Sequence, residues 1–297
     1  MAAAASRVAH GAPRALSVVV LTYNRADALL AVLRALAAQD DRAFEVVVAD
    51  DGSSPAQRSE LDAVAPTLGL TLRRVWHPDR GFTAATARNL GARLADGDYL
   101  VFLDGDCVPQ PDFVRRHRAL ARSGCFVNGS RVLLDAGLTA RALRVPLPAP
   151  AAAIGFWLRQ RLRGHCNKLA ALYLRWPPCW RRAQAAFRWR GIRSCNLGVW
   201  REDLEAVGGF DETFDGWGHE DADFVLRLQR HGCARIDGYW ATEVLHLWHR
   251  EEPRANEAHN RARVQRRVDT PRLDCRAVRG LGNSTTPDAD VVVEDFR

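Results

Sequence analysis

The chain has 297 residues, 47% hydrophobic and 26% charged, with a formal net charge of +7. That balance belongs to a globular protein and excludes a low-complexity polymer, and no apolar run approaches the roughly 18–20 residues that cross a bilayer. Seven cysteines, odd in number and without a C-x-x-C pair, exclude a disulfide framework or a cysteine zinc site, so reduced thiols in the cytoplasm are the simplest reading.

Residues 1–15 lack a basic front followed by a long apolar block, so they read as a disordered leader and not as a secretory signal. "LSVVVLTYNR" (16–25) is a β-branched run expected of a strand buried on both faces. A helix follows over 26–39, apolar at Leu29, Leu30, Leu33 and Leu36. "FEVVVADDGSS" (44–54) predicts a second buried strand and "SELDAVAPTLG" a helix. "LTLRRVWH" (70–77) predicts a strand, residues 83–97 a helix, and "YLVFLDGD" (99–106) a fourth strand. Strict alternation predicts an α/β fold, a mainly parallel central sheet flanked by helices. Ligands of such sheets bind outside the carboxyl ends of the strands. Thr22–Asn24, Asp50–Asp51 and Asp104–Asp106 all fall there.

Beyond a helix in "PQPDFVRRHRALARSG" the pattern becomes irregular. From 136 to 201 there is no acidic residue, while twelve Arg and Lys168 give +13 and leave −6 on the rest of the chain. Phe156, Trp157, Tyr173, Trp176, Trp180, Phe187 and Trp189 are interleaved with them. Regularity returns with a helix in "DADFVLRLQRHG", stopped by Gly232, and a strand over 242–249. The tail reads as peripheral.

Asp104-Gly105-Asp106 alone is an ordinary solvated turn. At a parallel-strand end, beside "ADDGSS", it suits Mg²⁺ or Mn²⁺ shared with substrate phosphates. Thr22, Tyr23, Asn24 and Asp51 offer polar groups to a nucleobase edge, local helix capping being the plain alternative for Thr22–Asn24. Arg88 can reach the same crevice and neutralise phosphate, or stand as an exposed helix arginine.

The set "VVVLTYNR", "VVVADDGSS" and "ARNLGARLADGDYLVFLDGD" resembles the nucleotide-sugar half of family 2 glycosyltransferases, which have the GT-A fold. The resemblance covers roughly residues 16–130. It implies Asp51 on the nucleobase with Thr22 beside it, Arg88 near the diphosphate, Asp106 as a direct metal ligand, and Asp104 on the ribose or the metal's water. "FDGWGHEDADF" (214–224) is similar to the W-G-x-E-D element of β-1,4-galactosyltransferases. That likeness implies Trp217 lining the sugar pocket, Glu220 on substrate hydroxyls and Asp221 as general base; complementing a helix N-terminus is the alternative for the two acids. Ala222 interrupts the acidic run usual in that group. In "LHLWHRE", His246 and His249 match positions where the group places metal ligands, and imidazole suits Mn²⁺. Asn196, in "RSCNLGVWRED", is expected near the donor sugar.

The expected organisation is a leader (1–15), a nucleotide-sugar half (16–130), a basic aromatic insertion (131–192), an acceptor and catalytic half (193–265) and a peripheral tail (266–297). The expected activity is metal-dependent, inverting transfer from a UDP-sugar to a glycan or lipid-linked acceptor in bacterial polysaccharide or lipopolysaccharide synthesis. The rivals are a catalytically silent GT-A binding module and a nucleotidyltransferase. The segment 136–201 is expected to pack on the core or to touch an anionic membrane face, which places a cytoplasmic chain at the inner surface; no nucleic acid is expected.

Overall fold

The computed structural model describes residues 11–176, 183–184, 186–189, 191–250, 254–270, 274–284 and 286–296. Its N-terminal half follows from the valine-rich runs. Strands β1 (Leu16–Thr22), β2 (Phe44–Asp50), β3 (Leu72–Trp76) and β4 (Tyr99–Asp104) form parallel pairs in the order β3-β2-β1-β4. Alternate residues of each strand enter opposite cores. Val18, Val20, Val46 and Val48 pack against α1 (Ala26–Ala37) and α2 (Pro55–Val64). Val19, Val47 and Phe102 pack against α3 (Ala84–Leu94). Strand register pairs Thr22 with Asp50 and Leu21 with Asp104, so three acidic or polar strand ends meet at one edge.

Beyond β4 the sheet becomes mixed. After β5 (Cys107–Pro109), α4 (Phe113–Leu120), β6 (Cys125–Asn128) and β7 (Arg131–Leu133), the chain returns much later to place β9 (Asn196–Trp200) antiparallel between β4 and β6. The sheet continues through β10 (Ala234–Asp237), parallel to β6, to the two-residue β8 (Ala183–Gln184). A second small sheet, β5-β11-β7, includes β11 (Val244–His246), shorter than the predicted 242–249 strand. Its register sets His246 opposite Cys107, next to Asp106.

The region expected as a basic aromatic insertion carries α5 (Ala136–Arg144), α6 (Ile154–Leu162) and α7 (Ala170–Tyr173). They enclose a third core around Trp157, fully buried with its indole N–H donating to the Pro148 carbonyl at 3.0 Å. Trp180 and Cys179 lie outside the described residues; the six described cysteines are free thiols.

Two expectations are corrected. Residues 1–10 lie outside the described residues, but 13–15 are not a loose leader: Pro13 is buried, and the Arg14 and Ala15 amides donate to the Asp98 carboxylate. Nor is 266–297 peripheral. After α8 (Arg201–Ala206) and α9 (Glu220–Arg230), α10 (Glu257–Asp269) brings Arg267 to Asp223 on α9 at 2.8 Å and to Asp211 at 3.5 Å. The tail ends as β12 (Val292–Asp295), antiparallel to β3 at the sheet edge. Among the described residues no helix is long and apolar enough to cross a membrane.

Candidate active site

The "FLDGDC" turn owes its shape to Gly105. Its amide donates to the Leu21 carbonyl at 2.7 Å, and a β-carbon there would lie 2.8 Å from that same oxygen. Only glycine lets β4 turn this close to β1, and the turn sends Asp104 and Asp106 to different partners.

Asp104 faces Arg88, whose guanidinium donates to Asp104 Oδ1 at 2.9 Å and to Glu220 Oε1 at 3.3 Å. Arg88 is 3% exposed on α3, so it is no surface arginine. It ties the N-terminal strand ends to the first turn of α9, joining two regions 132 residues apart. Glu220 and Asp221 open that turn behind Gly216, Gly218 and His219, all at positive φ. Positive φ in His219 is uncommon for a residue with a β-carbon, and it aims both acids inward. Deep in the chain, the Arg227–Asp223 ion pair (2.6 Å) and Arg227 bonds to the Val207 and Gly209 carbonyls fix the helix that carries them. Desolvation and the Asp221 charge push the Glu220 carboxyl up to about 7. Desolvation also raises Asp221, against the Ala222 amide that donates to it and the nearby Arg88 charge.

Asp106 faces histidines. His249 Nε2 lies 3.2 Å from Asp106 Oδ2 and His246 Nε2 3.8 Å from it. Ligand atoms of the three residues all lie within 4.8 Å of one another. His249 Nδ1 sits 2.8 Å from the Arg250 carbonyl, so Nδ1 carries a proton and Nε2 is turned to the Asp106 carboxylate. A metal ion or a second ring proton satisfies that pair. Burial holds His246 below the ordinary imidazole value, although Asp106 opposes it, so the ring stays neutral, the ligating form. This donor set fits Mn²⁺ or Mg²⁺, with Mn²⁺ favoured by the imidazoles.

Asp51 accepts from the Thr83 amide (3.0 Å) and hydroxyl (2.5 Å) and lies 3.1 Å from His77 Nε2. Gly52 makes this turn possible: at φ 96 a β-carbon would sit 2.5 Å from the Asp79 Cα. Thr22 is buried beside the Gly105 turn, and Tyr23 is exposed with its hydroxyl donating to Asp79 at 2.9 Å. Asn24 differs from a base-reading residue. Its side-chain oxygen accepts from the Ser54 amide and its backbone N–H donates to Ser53 Oγ, which ties the β1 and β2 turns together. Trp217 is half-buried under the Arg254 guanidinium, 5.0 Å from the ring centre.

Asn196 is the clearest departure from expectation. It is fully buried beneath the site; its amide donates to the Ser130 and Thr242 carbonyls, and its oxygen lies 2.9 Å from His117 Nε2. Burial lowers His117 to about 4, so that ring is neutral and donates. Asn196→Ala would orphan three buried groups. It is expected to lower the unfolding free energy by about 3 kcal/mol in urea titration while leaving donor affinity unchanged. Unchanged stability with weakened donor binding would return Asn196 to the pocket. His77 and Thr83 were not anticipated; a threonine opening a helix and a histidine ending a strand carry no signal until the fold brings them to Asp51.

A mixed sheet with its polar strand ends gathered beside an Asp–His cluster defines the class of nucleotide-diphosphosugar transferases. Residues 17–162 match glycosyl transferase family 2, and residues 181–250 match the model described as the N-terminal domain of galactosyltransferase. The chain is a family 2 glycosyltransferase domain of GT-A fold. It is 32% identical over 244 residues to a validoxylamine A glucosyltransferase of Streptomyces hygroscopicus subsp. jinggangensis, covering 73% of this chain and 52% of that protein. The chain thus spans about half the length of that relative. Its fold resembles a GalNAc-T7 structure with UDP, GalNAc and Mn²⁺ (TM-score 0.56, 15% identity, 85% of this chain and 47% of that one). It also resembles a mannosyltransferase of Pyrobaculum calidifontis in complex with GDP-Man and Mn²⁺ (TM-score 0.51, 21% identity, 88% and 63%).

Proposed function

We propose that the chain transfers a sugar from a UDP-sugar to a hydroxyl of a glycan or lipid-linked acceptor, with inversion at the anomeric carbon. The observation that carries this reading is the Arg88 bridge, which holds the Asp104 turn and the Glu220–Asp221 turn against one crevice. Asp51 holds the uracil edge, positioned by Thr83 and His77, with Thr22 and Tyr23 beside it. Asp221 takes the acceptor proton as its oxygen bonds to the anomeric carbon. The bond from that carbon to the diphosphate breaks on the opposite face, and its electron pair leaves with UDP. Glu220 holds sugar hydroxyls and Trp217 walls the pocket. A divalent ion held by Asp106, His246 and His249 would supply charge stabilisation on the departing diphosphate.

The test is a panel of UDP-sugars with Mn²⁺ and a mixed glycan acceptor pool, read by UDP release and by the configuration of the new bond. One donor is expected to give acceptor-dependent UDP and a β-linkage from an α-linked donor. No acceptor-dependent release with any donor, while UDP still binds, would favour the silent binding module; release of pyrophosphate would favour a nucleotidyltransferase.

A second reading concerns location. On α6, Ile154, Leu158 and Leu162 are exposed at a spacing of four, while Trp157 between them turns into the core. Arg159, Arg161 and Arg163 are exposed beside them, with Arg141 and Arg144 on α5. An apolar ridge bordered by cations fits an anionic membrane surface. Co-sedimentation with phosphatidylglycerol vesicles is expected, and it should be lost in Leu158→Glu/Leu162→Glu. Equal recovery with pure phosphatidylcholine, or no loss in the variant, would contradict it.

A further inference from the structure

Three aromatic rings, two from the turn between β10 and β11 and one that follows α7, form a shelf. Trp176, Trp240 and Tyr239 follow one another with centroids 5.9 Å and 5.1 Å apart, tilted by 31° and 32°. Trp176 is 45% exposed and Tyr239 38%. Trp240, between them, has φ 59, a costly conformation for so bulky a residue. Its amide is held by the Glu243 carboxylate. That turn packs Trp240 against the third core and leaves Tyr239 and Trp176 exposed on either side of it.

Cations border the shelf. Lys168 Nζ lies 5.3 Å from the Tyr239 ring centre and donates to Ser130 Oγ (3.1 Å) and the Arg131 carbonyl (2.8 Å). An ammonium has three donors, so one remains without a protein acceptor among the described residues. The Arg193 amide donates to Asn128 Oδ1 at 3.2 Å, on the same turn that carries Ser130. The next amide, that of Ser194, faces the Asp221 carboxylate. Asp221, Ser194, Arg193, Lys168 and Tyr239 therefore form one continuous wall. Two acids lie close, Asp237 and Glu243. Asp237 accepts from the Tyr239 amide at 3.0 Å, and burial pushes Glu243 up to about 7, so its charge is partly quenched at neutral pH. Arg131 and Arg193 add to Lys168, and the wall stays positive.

We infer that this shelf binds a carboxylate-bearing sugar of the acceptor glycan, beyond the residue whose hydroxyl reacts. Its ring face lies on Tyr239 and Trp176, and its carboxylate pairs with Lys168 and Arg193. The placement beside Asp221 rests on the transferase reading; the ligand chemistry is read from the shelf itself.

The experiment is calorimetry of the full chain with two four-residue uronate oligosaccharides, one galacturonate and one glucuronate-based, each against its carboxyl-reduced neutral form. At least one acidic form is expected to bind about ten-fold more tightly than its neutral counterpart. Tyr239→Ala should weaken both forms, and Lys168→Gln should abolish the acid preference. Both variants should bind UDP as wild type does, which controls for folding. The inference is overturned if no oligosaccharide binds, if acidic and neutral forms bind equally, or if both variants keep the wild-type pattern. Uronate binding by a chain that neither binds UDP nor transfers sugar would instead leave the shelf standing and remove the transferase reading.

Discussion

Asp221→Asn is expected to lower kcat by about a thousand-fold, within the span that a positioned general base contributes. Asparagine keeps the shape of the side chain and the oxygen that accepts from the Ala222 amide, but it cannot take the acceptor proton. UDP affinity is expected to hold, because the proposed nucleotide contacts lie at the strand ends. The variant should not lose stability either. Glu220 is raised from 4.5 to about 7 partly by its charged neighbour, so in the wild type the ionised form is disfavoured in the folded chain. That penalty is absent below the unfolded value and grows as pH rises toward 7. Removing the Asp221 charge relieves it. Thermal melts at pH 8 should therefore place the variant at or above wild type, which separates lost chemistry from lost fold. In the wild type, desolvation raises Asp221, so the acid limb of kcat/KM should fall above the ordinary aspartate range. Normal turnover by Asp221→Asn would remove it as the base.

Asp106→Ala is expected to weaken Mn²⁺-dependent UDP binding by at least about a hundred-fold, since even outer partners of metal ligands are worth ten- to a hundred-fold. Two imidazoles remain, and neither brings negative charge to the ion. The backbone contact at this position, the Asp106 carbonyl accepting from the Leu247 amide at 2.9 Å, survives the substitution, so the β5–β11 pairing should hold. Titration of Mn²⁺ against a fixed concentration of UDP measures it. Unchanged metal dependence would take Asp106 out of the clamp.

How much of this could be read from the sequence depended on how local each signal was. Apolar runs ending in polar or acidic residues placed β1, β2 and β4, because a buried parallel strand writes nearly its whole length in apolar residues. The second sheet was illegible: β5, β7 and β11 have three residues each, too few for any period, and only register brings His246 to Asp106. Asn196 was misplaced for a related reason. Its expected place came from the resemblance of "RSCNLGVWRED" to the family, and nothing nearby announces that His117, 79 positions earlier, will occupy it. Arg88 was expected at a diphosphate; its bridge to Glu220 needs both halves of the fold in view. The tail misled through its charge, since Arg267 spends that charge on the buried Asp211 and Asp223 and not on solvent.

The most direct test of the whole account is UDP affinity by calorimetry, once with excess Mn²⁺ and once with EDTA. Binding that appears with Mn²⁺ and vanishes with EDTA is the predicted result, because the diphosphate is proposed to meet the protein through a metal at the Asp106–His246–His249 cluster. Equal affinity in both conditions, or no binding in either, would contradict a metal–diphosphate clamp at the end of "FLDGDC".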